Sequence, residues 1–159
     1  MEGFQVISPA VALSNIVDHY FYLDIPTPII KEQFNRVIPQ GVFEFVVNYK
    51  VNYTESSKNG NSVLSPYTLI GPSVKYKDFS VKGEIGFFSI VFKPYGLYLL
   101  TDISSEFLAK NYTPIDLISR ELTALKNMLL DAKNNYQRVQ ISNDYLIKLI
   151  KKSREKIKR

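Results

Sequence analysis

The chain has 159 residues, of which 45% are hydrophobic and 22% are charged, and its formal net charge is +5. This length predicts one domain with its own hydrophobic core, and the ten Phe and eleven Tyr residues argue against a disordered chain. With no cysteine and a single histidine, His19, the sequence excludes disulfide scaffolds, cysteine nucleophiles, iron–sulfur clusters and multi-histidine catalytic sites. We therefore expect no metal and no cofactor.

The first two thirds of the chain contain strand-like runs of aromatic and β-branched residues. These runs cover residues 18–23, 42–53, 66–70, 75–81 and 85–92. We expect Pro26 and Pro28 to end the first run and Gly83 to separate the last two, while Asn59-Gly60 supplies a hairpin turn. The pattern predicts an α+β fold, in which a small antiparallel β-barrel or sandwich is followed by C-terminal helices.

Glu44 is the carboxylate that most suggests a site, because it lies in the middle of the apolar run 42–53. Strand side chains alternate between faces, so Glu44 and Asn48 share one face of the sheet. An unpaired buried carboxylate is costly, and Glu44 must therefore face water, pair with a cation or contact a ligand. An ion pair with Arg36, a polar ligand contact and general acid–base catalysis all remain open.

The composition changes after Pro94, where Gly and Pro become rare and Leu, Lys and Asn take over. Apolar residues then recur at intervals of four and three, which places them on one side of a helix. This stripe consists of Ile118, Leu122, Leu125, Leu129 and Ala132. It either docks onto the sheet or forms a helix pair across a dimer, since the same spacing is that of a coiled-coil seam.

A last helix is expected to begin with Ser142 as its N-cap. We accordingly divide the chain into a barrel-like domain with packed helices, 1–141, and a basic terminal helix or linker, 142–159. Residues 148–159 include seven basic residues and one acidic residue, a net charge of +6, which leaves −1 for the rest of the chain. The basic balance therefore belongs to the C-terminal segment rather than to the body of the domain.

Motifs of enzymes and of membrane proteins are missing from the sequence. His19 follows Asp18 directly, and adjacent strand residues point to opposite faces, so we expect no catalytic pair there. No nucleophile elbow, phosphate-binding loop or dinucleotide fingerprint occurs. Because the sequence has neither a signal peptide nor an apolar run of membrane-spanning length, we expect a cytoplasmic protein without a membrane partner.

Four segments together resemble the N-terminal sensing domain of AraC-type bacterial transcription regulators. They are, in chain order, RVIPQGVFEFVVN (36–48), LIGP (69–72), VFKPYGLYLL (91–100) and PIDL (114–117). The family pattern in the first segment is arginine, two apolar residues, Pro-Asp-Gly, Glu-Leu and an apolar pair that ends in asparagine. Gln40 stands where the family usually has aspartate, and Tyr95 where it usually has glycine. At the mouth of a barrel, Tyr95 would reshape the pocket.

The resemblance implies a cupin-like barrel that senses an unknown small-molecule effector and forms a homodimer. DNA would be bound only through a helix-turn-helix domain, which is expected to follow Arg159, and the protein would not be an enzyme. On this interpretation the ligand-binding residues are Arg36, Glu44, Asn48 and Tyr95. Two alternatives stay open: a metal-independent cupin-like enzyme that uses Glu44, and direct binding of nucleic acid or an anionic membrane by the basic C-terminal segment.

Overall fold

A computed structural model describes residues 3–37, 41–50, 54–57, 60–73, 75–101, 103 and 112–157. An antiparallel sheet precedes two long helices, which confirms the predicted α+β class and the order of sheet and helices. The strands are β1 (Phe4–Ile7), β2 (Val17–Val37), β3 (Phe43–Asn48), β4 (Thr54–Ser57), β5 (Gly60–Val63), β6 (Tyr67–Ile70), β7 (Lys77–Phe92) and β8 (Tyr112–Pro114). The helices are α1 (Gly96–Leu100), α2 (Arg120–Asp131) and α3 (Asn135–Ile157), and single 3₁₀ turns cover Val11–Leu13 and Ile115–Leu117.

Eight strands of the described residues form one antiparallel sheet in the order β1-β2-β7-β3-β6-β8. The strand β4 pairs with β5 and with the first residues of β7, whereas β3 pairs with the last residues of β7. One row of opposed residues crosses five strands through His19, Val91, Glu44, Ile70 and Tyr112. Residues of one row share a face of the sheet, so this register decides which side chains can meet.

The strand β2 continues through both prolines, so the prediction that they end it is wrong. Its pairing with β7 shifts register between Ile25 and Ile29, and again between Ile29 and Gln33. Pro26 and Pro28 lie in the first of these irregular stretches, where no residue of β2 is in register with β7. A strand tolerates proline at a position where a backbone N–H would not have bonded to the neighbouring strand.

Two glycines adopt positive φ at irregular points of the sheet. Gly83 (φ 100°) lies within β7 opposite the irregular part of β2, so residues 75–81 and 85–92 contribute to one strand instead of the two predicted. Gly60 (φ 113°) begins β5 directly opposite Ser57, so β4 and β5 form a hairpin at the predicted place, but Gly60 belongs to the strand and not to the turn. Asn59 lies outside the described residues.

The sheet curls, and we distinguish its inner face from its outer face. Tyr112, on the β8 edge, contacts Phe79 with ring centroids 6.0 Å apart, and Lys77 Nζ lies 3.8 Å from its ring centroid. We name the face that carries these three residues the inner face. The outer face supplies apolar residues to the main core: Tyr20, Phe43, Phe45, Val47, Leu69, Phe88, Ile90 and Phe92.

The apolar stripe of α2 packs on the outer face. Leu122, Leu125 and Leu129 are fully buried in the core that the sheet forms with the helices, and Ile118, which precedes α2, is half-buried against it. Ser119 caps α2, with its Oγ accepting a hydrogen bond from the backbone N–H of Leu122 at 3.1 Å. The three leucines are thus used within the chain and do not form a seam on its surface.

The sequence predicts that the last helix begins after Ser142, but α3 begins at Asn135. The Asn134 side chain accepts a hydrogen bond from the backbone N–H of Gln137 at 2.8 Å and so supplies the cap. Ser142 is fully buried inside the helix, and Leu146 packs in the main core. The predicted domain boundary between residues 141 and 142 therefore falls within a continuous helix.

Three basic residues in the second half of α3 lie on its solvent side. Lys148, Lys151 and Arg154 are exposed, whereas Leu149 and Ile150 are buried against the domain. None of the described helices combines the length and the hydrophobicity needed to cross a membrane.

Candidate functional site

Glu44 and Ser89 form a hydrogen-bonded pair on the inner face. Ser89 Oγ donates to Glu44 Oε1 at 2.6 Å, and Ser89 is fully buried while Glu44 is half-buried. They are diagonal neighbours, because Glu44 is opposite Val91 and Ser89 is opposite Val46. Burial raises the pKa of Glu44, against the smaller opposing effects of the Ser89 hydrogen bond and of the charge on His19.

Asn48 adds a buried acceptor to the same face. It is 9% exposed, and its Oδ1 receives no hydrogen bond from the residues that the structure describes. The backbone N–H of Asn48 donates to the Pro66 carbonyl at 2.8 Å, which holds the end of β3 in place. A buried acceptor without a donor costs about 1–3 kcal/mol, so this position favours a bound group that can donate.

Two phenylalanines border these polar groups. Phe21 is opposite Ser89, and Phe87 is opposite Asn48. Their rings meet edge to face with centroids 5.5 Å apart, and both residues are half-buried, so solvent reaches this part of the inner face. We call the five residues Phe21, Glu44, Asn48, Phe87 and Ser89 the inner-face site.

His19 lies in the same row as Glu44 and contacts Asp18, contrary to expectation. Its Nδ1 is 2.8 Å from Asp18 Oδ2. The β2–β7 pairing gains one extra residue between Val17 and His19, so Asp18 is bulged and the alternation of faces fails there. Hydrogen bonds from Lys93 and His19 lower the pKa of Asp18. The prediction that Asp18 and His19 point to opposite faces is therefore wrong, and their contact is exposed.

A second polar cluster lies at the other end of the inner face. Lys77 and Glu55 form an ion pair at 2.9 Å, with both side chains less than 20% exposed. Burial raises the pKa of the Tyr112 hydroxyl, and the negative charges of Glu55 and Glu44 raise it further. Tyr112 thus lies within electrostatic reach of both carboxylates and connects this cluster to the inner-face site.

Arg36 and Tyr95 do not belong to the inner-face site. Arg36 binds Asp78 through two hydrogen bonds of 2.8 and 2.9 Å, and its side chain is 57% exposed. Asp78 lies near the beginning of β7, whereas Glu44 pairs with its end, so the predicted Glu44–Arg36 ion pair does not form and Ser89 is the partner instead. Tyr95 precedes α1 and is 78% exposed.

The sequence did not single out Ser89 or Tyr112. Ser89 could have been found from the sequence, because it is a hydroxyl residue inside an apolar run, just as Glu44 is a carboxylate inside one. Tyr112 could not have been found from the sequence, because its contact with β7 depends on how far the sheet curls. Among the described residues, no group of three or more His, Asp or Glu is arranged to hold a metal ion.

A polar cluster joins the sheet to the start of α3. The buried Arg138 guanidinium lies 3.9 Å from the centroid of the Tyr49 ring and donates to Asn135 Oδ1 at 3.0 Å. The Tyr49 hydroxyl donates to Asp24 Oδ2 at 3.1 Å, and burial raises its pKa to about 12. Since Tyr49 directly follows Asn48, the end of β3 is in contact with α3 next to the inner-face site.

A family model described as "Domain of unknown function (DUF6597)" matches residues 5–114. The chain belongs to this family. The matched segment extends from β1 to β8 and includes the whole inner-face site, while α2 and α3 lie outside it. No curated protein matches the chain. Among solved structures, it is similar to the Cupin_2 domain of an XRE family transcriptional regulator from Enterobacter cloacae, with 14% identity, a TM-score of 0.40, and coverage of 57% of this chain and 95% of that chain.

Proposed function

We propose that this chain is the effector-sensing and dimerisation domain of a bacterial AraC-type transcription regulator. In this proposal an effector binds inside the curled sheet, and a helix-turn-helix domain in the full-length protein binds DNA. The protein acts in the cytoplasm as a homodimer, and this domain catalyses no reaction. The sequence resemblance of residues 36–48 to that family supports the assignment.

The inner-face site is the observation that carries the proposal. None of the described basic side chains forms an ion pair with Glu44, and Asn48 Oδ1 lacks a donor. Both features reduce stability, and a domain that needed only a core would be more stable with apolar residues in their place. Polar groups that are costly to the fold and lie beside a part of the sheet that solvent reaches are typical of a binding site.

The strand β3 offers a short route from the effector to the helices. It presents Glu44 and Asn48 on the inner face, and Phe45 and Val47 to the core that contains α2 and α3. An effector that binds one arrangement of β3 more tightly shifts the helices toward the matching arrangement, because a ligand changes an equilibrium only through its differential affinity. The helices would then reposition the DNA-binding domain.

A thermal-shift screen of metabolites tests the sensing role. A ligand at 100 times its Kd stabilises the folded state by about 2.7 kcal/mol, which gives a measurable rise in Tm. We expect a stabilising metabolite whose effect is lost in Glu44→Gln and kept in Glu84→Gln, a matched control on the exposed side of β7. The sensing role is contradicted if no metabolite stabilises the chain or if Glu44→Gln responds like the wild type.

Sedimentation equilibrium tests the homodimer. Because the leucines of α2 are buried within the chain, a dimer must use another surface, and we expect Leu125→Met to leave the association constant unchanged. A chain that is monomeric at every accessible concentration would contradict dimerisation while leaving the sensing role intact.

A metal-independent enzyme that uses Glu44 is the second candidate. One observation favours it: the carboxyl group with a raised pKa is hydrogen-bonded to the hydroxyl of Ser89, and such perturbed groups act as acids or bases in active sites. Turnover on a metabolite panel that disappears in Glu44→Gln would favour the enzyme. A stabilising metabolite that is recovered unchanged after prolonged incubation would favour sensing.

A further inference from the structure

The inner-face site offers more hydrogen-bond acceptors than donors. The Glu44 carboxylate receives one hydrogen bond, from Ser89, although its two oxygens can accept several. Asn48 Oδ1 is buried and receives none from the described residues. A ligand that satisfies this site must therefore donate hydrogen bonds at two places on one face of β3.

Two basic side chains of the inner face already have acidic partners. Lys77 is bonded to Glu55 at 2.9 Å, and His19 is bonded to Asp18 at 2.8 Å. An anionic ligand would place its charge beside Glu44 without a cation to receive it. A cationic ligand would instead give Glu44 the direct ion pair that none of the described basic side chains forms with it.

The aromatic pair at the edge of the site also favours a cation. Phe21 and Phe87 meet edge to face, and each is opposite a polar residue of the site. The faces of aromatic rings attract ammonium and guanidinium groups. A divalent metal fits less well, because it requires several oxygen ligands and the site contains a single carboxylate.

We propose that the inner-face site binds an organic cation, a small primary amine or guanidine. Its charged group donates to Glu44 and contacts the rings of Phe21 and Phe87. A second donor of the ligand, such as the far end of agmatine, would reach Asn48 Oδ1, because Glu44 and Asn48 lie four residues apart on β3. This inference rests on the proposed sensing function and names the chemical class of the effector.

Matched ligands test the charge requirement. The probes are 2-phenylethylamine, 2-phenylethanol and phenylacetate, which share a ring and differ in charge, together with agmatine as a guanidine. Calorimetric titration of the whole chain should detect binding of the amine or of agmatine, and no binding of the alcohol or the carboxylate. In Glu44→Gln we expect the Kd of the bound cation to rise about tenfold or more, and in Glu84→Gln to stay within about twofold. The circular dichroism of each variant verifies its fold.

The outcomes separate this inference from the proposed function. If only the alcohol or the carboxylate binds, or if the cation binds Glu44→Gln as tightly as the wild type, the cation assignment is overturned and sensing stands. If none of the probes binds, the cation assignment is overturned too. The metabolite screen then decides separately whether the chain senses any ligand.

Discussion

Removing the Arg138 guanidinium should strongly destabilise the chain, although this residue lies in a polar part of the sequence. Its Nε donates to the carbonyl of Leu129 at 3.0 Å, and Nη2 donates to that of Ala132 at 3.2 Å. These carbonyls lie at the C-terminal end of α2, where the last carbonyl groups of a helix receive no hydrogen bond from a backbone N–H of the same helix. The guanidinium also stacks on Tyr49, so it holds the end of α2, the start of α3 and the sheet together.

The magnitude follows from these contacts. In Arg138→Ala two buried carbonyls lose their donor, at a cost of about 1–3 kcal/mol each. The lost ring contact adds about 1–2 kcal/mol. Part of this is regained, because burial disfavours the charged guanidinium, as the lowered pKa of Arg138 indicates. We therefore expect a net loss of about 2–4 kcal/mol in the free energy of unfolding.

Urea unfolding followed by circular dichroism measures this loss as a lower midpoint with an unchanged slope. The matched control is Arg154→Ala, an exposed arginine of the same helix, which should change stability by less than about 0.5 kcal/mol. A loss below about 1 kcal/mol for Arg138→Ala, or equal losses for the two variants, would refute the argument that Arg138 joins α2, α3 and the sheet.

Three further predictions concern the inner-face site, the packing around Gly96 and the basic C-terminal segment. Glu44→Gln should stabilise the chain at neutral pH by on the order of 1 kcal/mol. Burial raises the folded-state pKa of Glu44 above 4.5, so the wild type gains stability as the pH falls toward 4.5. The stability difference between the variant and the wild type should therefore shrink. Urea unfolding at several pH values checks this, and a difference that stays constant with pH would contradict it. Gly96→Ala should lower stability by about 3 kcal/mol or more, measured as a fall in Tm, because the new Cβ would lie 2.0 Å from the carbonyl oxygen of Ile16. Replacing the exposed Lys151 and Lys152 by Gln should leave the urea midpoint within about 0.5 kcal/mol of the wild type.

The alternation of apolar residues predicts the faces of β3 correctly, because Phe43, Phe45 and Val47 are all buried in the core. The extent of β2 could not be predicted in the same way. Proline disrupts a strand only where its missing N–H would have bonded to a neighbour, and the pairing of Pro26 and Pro28 with β7 depends on the whole sheet. Local pattern therefore gives the faces of a regular strand such as β3, whereas the lengths and bulges of strands depend on tertiary register.

The partner of Glu44 shows the same limit within the site. The sequence predicts that this carboxylate needs a partner, and it offers Arg36, in the segment just before β3, as one candidate. The β3–β7 register brings Ser89 beside Glu44 and leaves Arg36 opposite Asp78 near the other end of β7. The need for a partner is thus a local property, but the identity of the partner is set by strand pairing.

The end of β3 contacts both the inner-face site and α3, as the proposed sensing function requires. Asn48 and Tyr49 are consecutive, so their side chains leave the strand on opposite sides. Asn48 belongs to the inner-face site, whereas Tyr49 lies under the Arg138 guanidinium and bonds to Asn135 at the start of α3. In the proposed function, an effector that displaces the backbone of Asn48 would also displace Tyr49, unless the dihedrals between the two residues absorb the change. The stacked guanidinium and the first turn of α3 then have to follow or give up their contacts. In the proposed function, this backbone link to α3 would act together with the route through Phe45 and Val47 in the core.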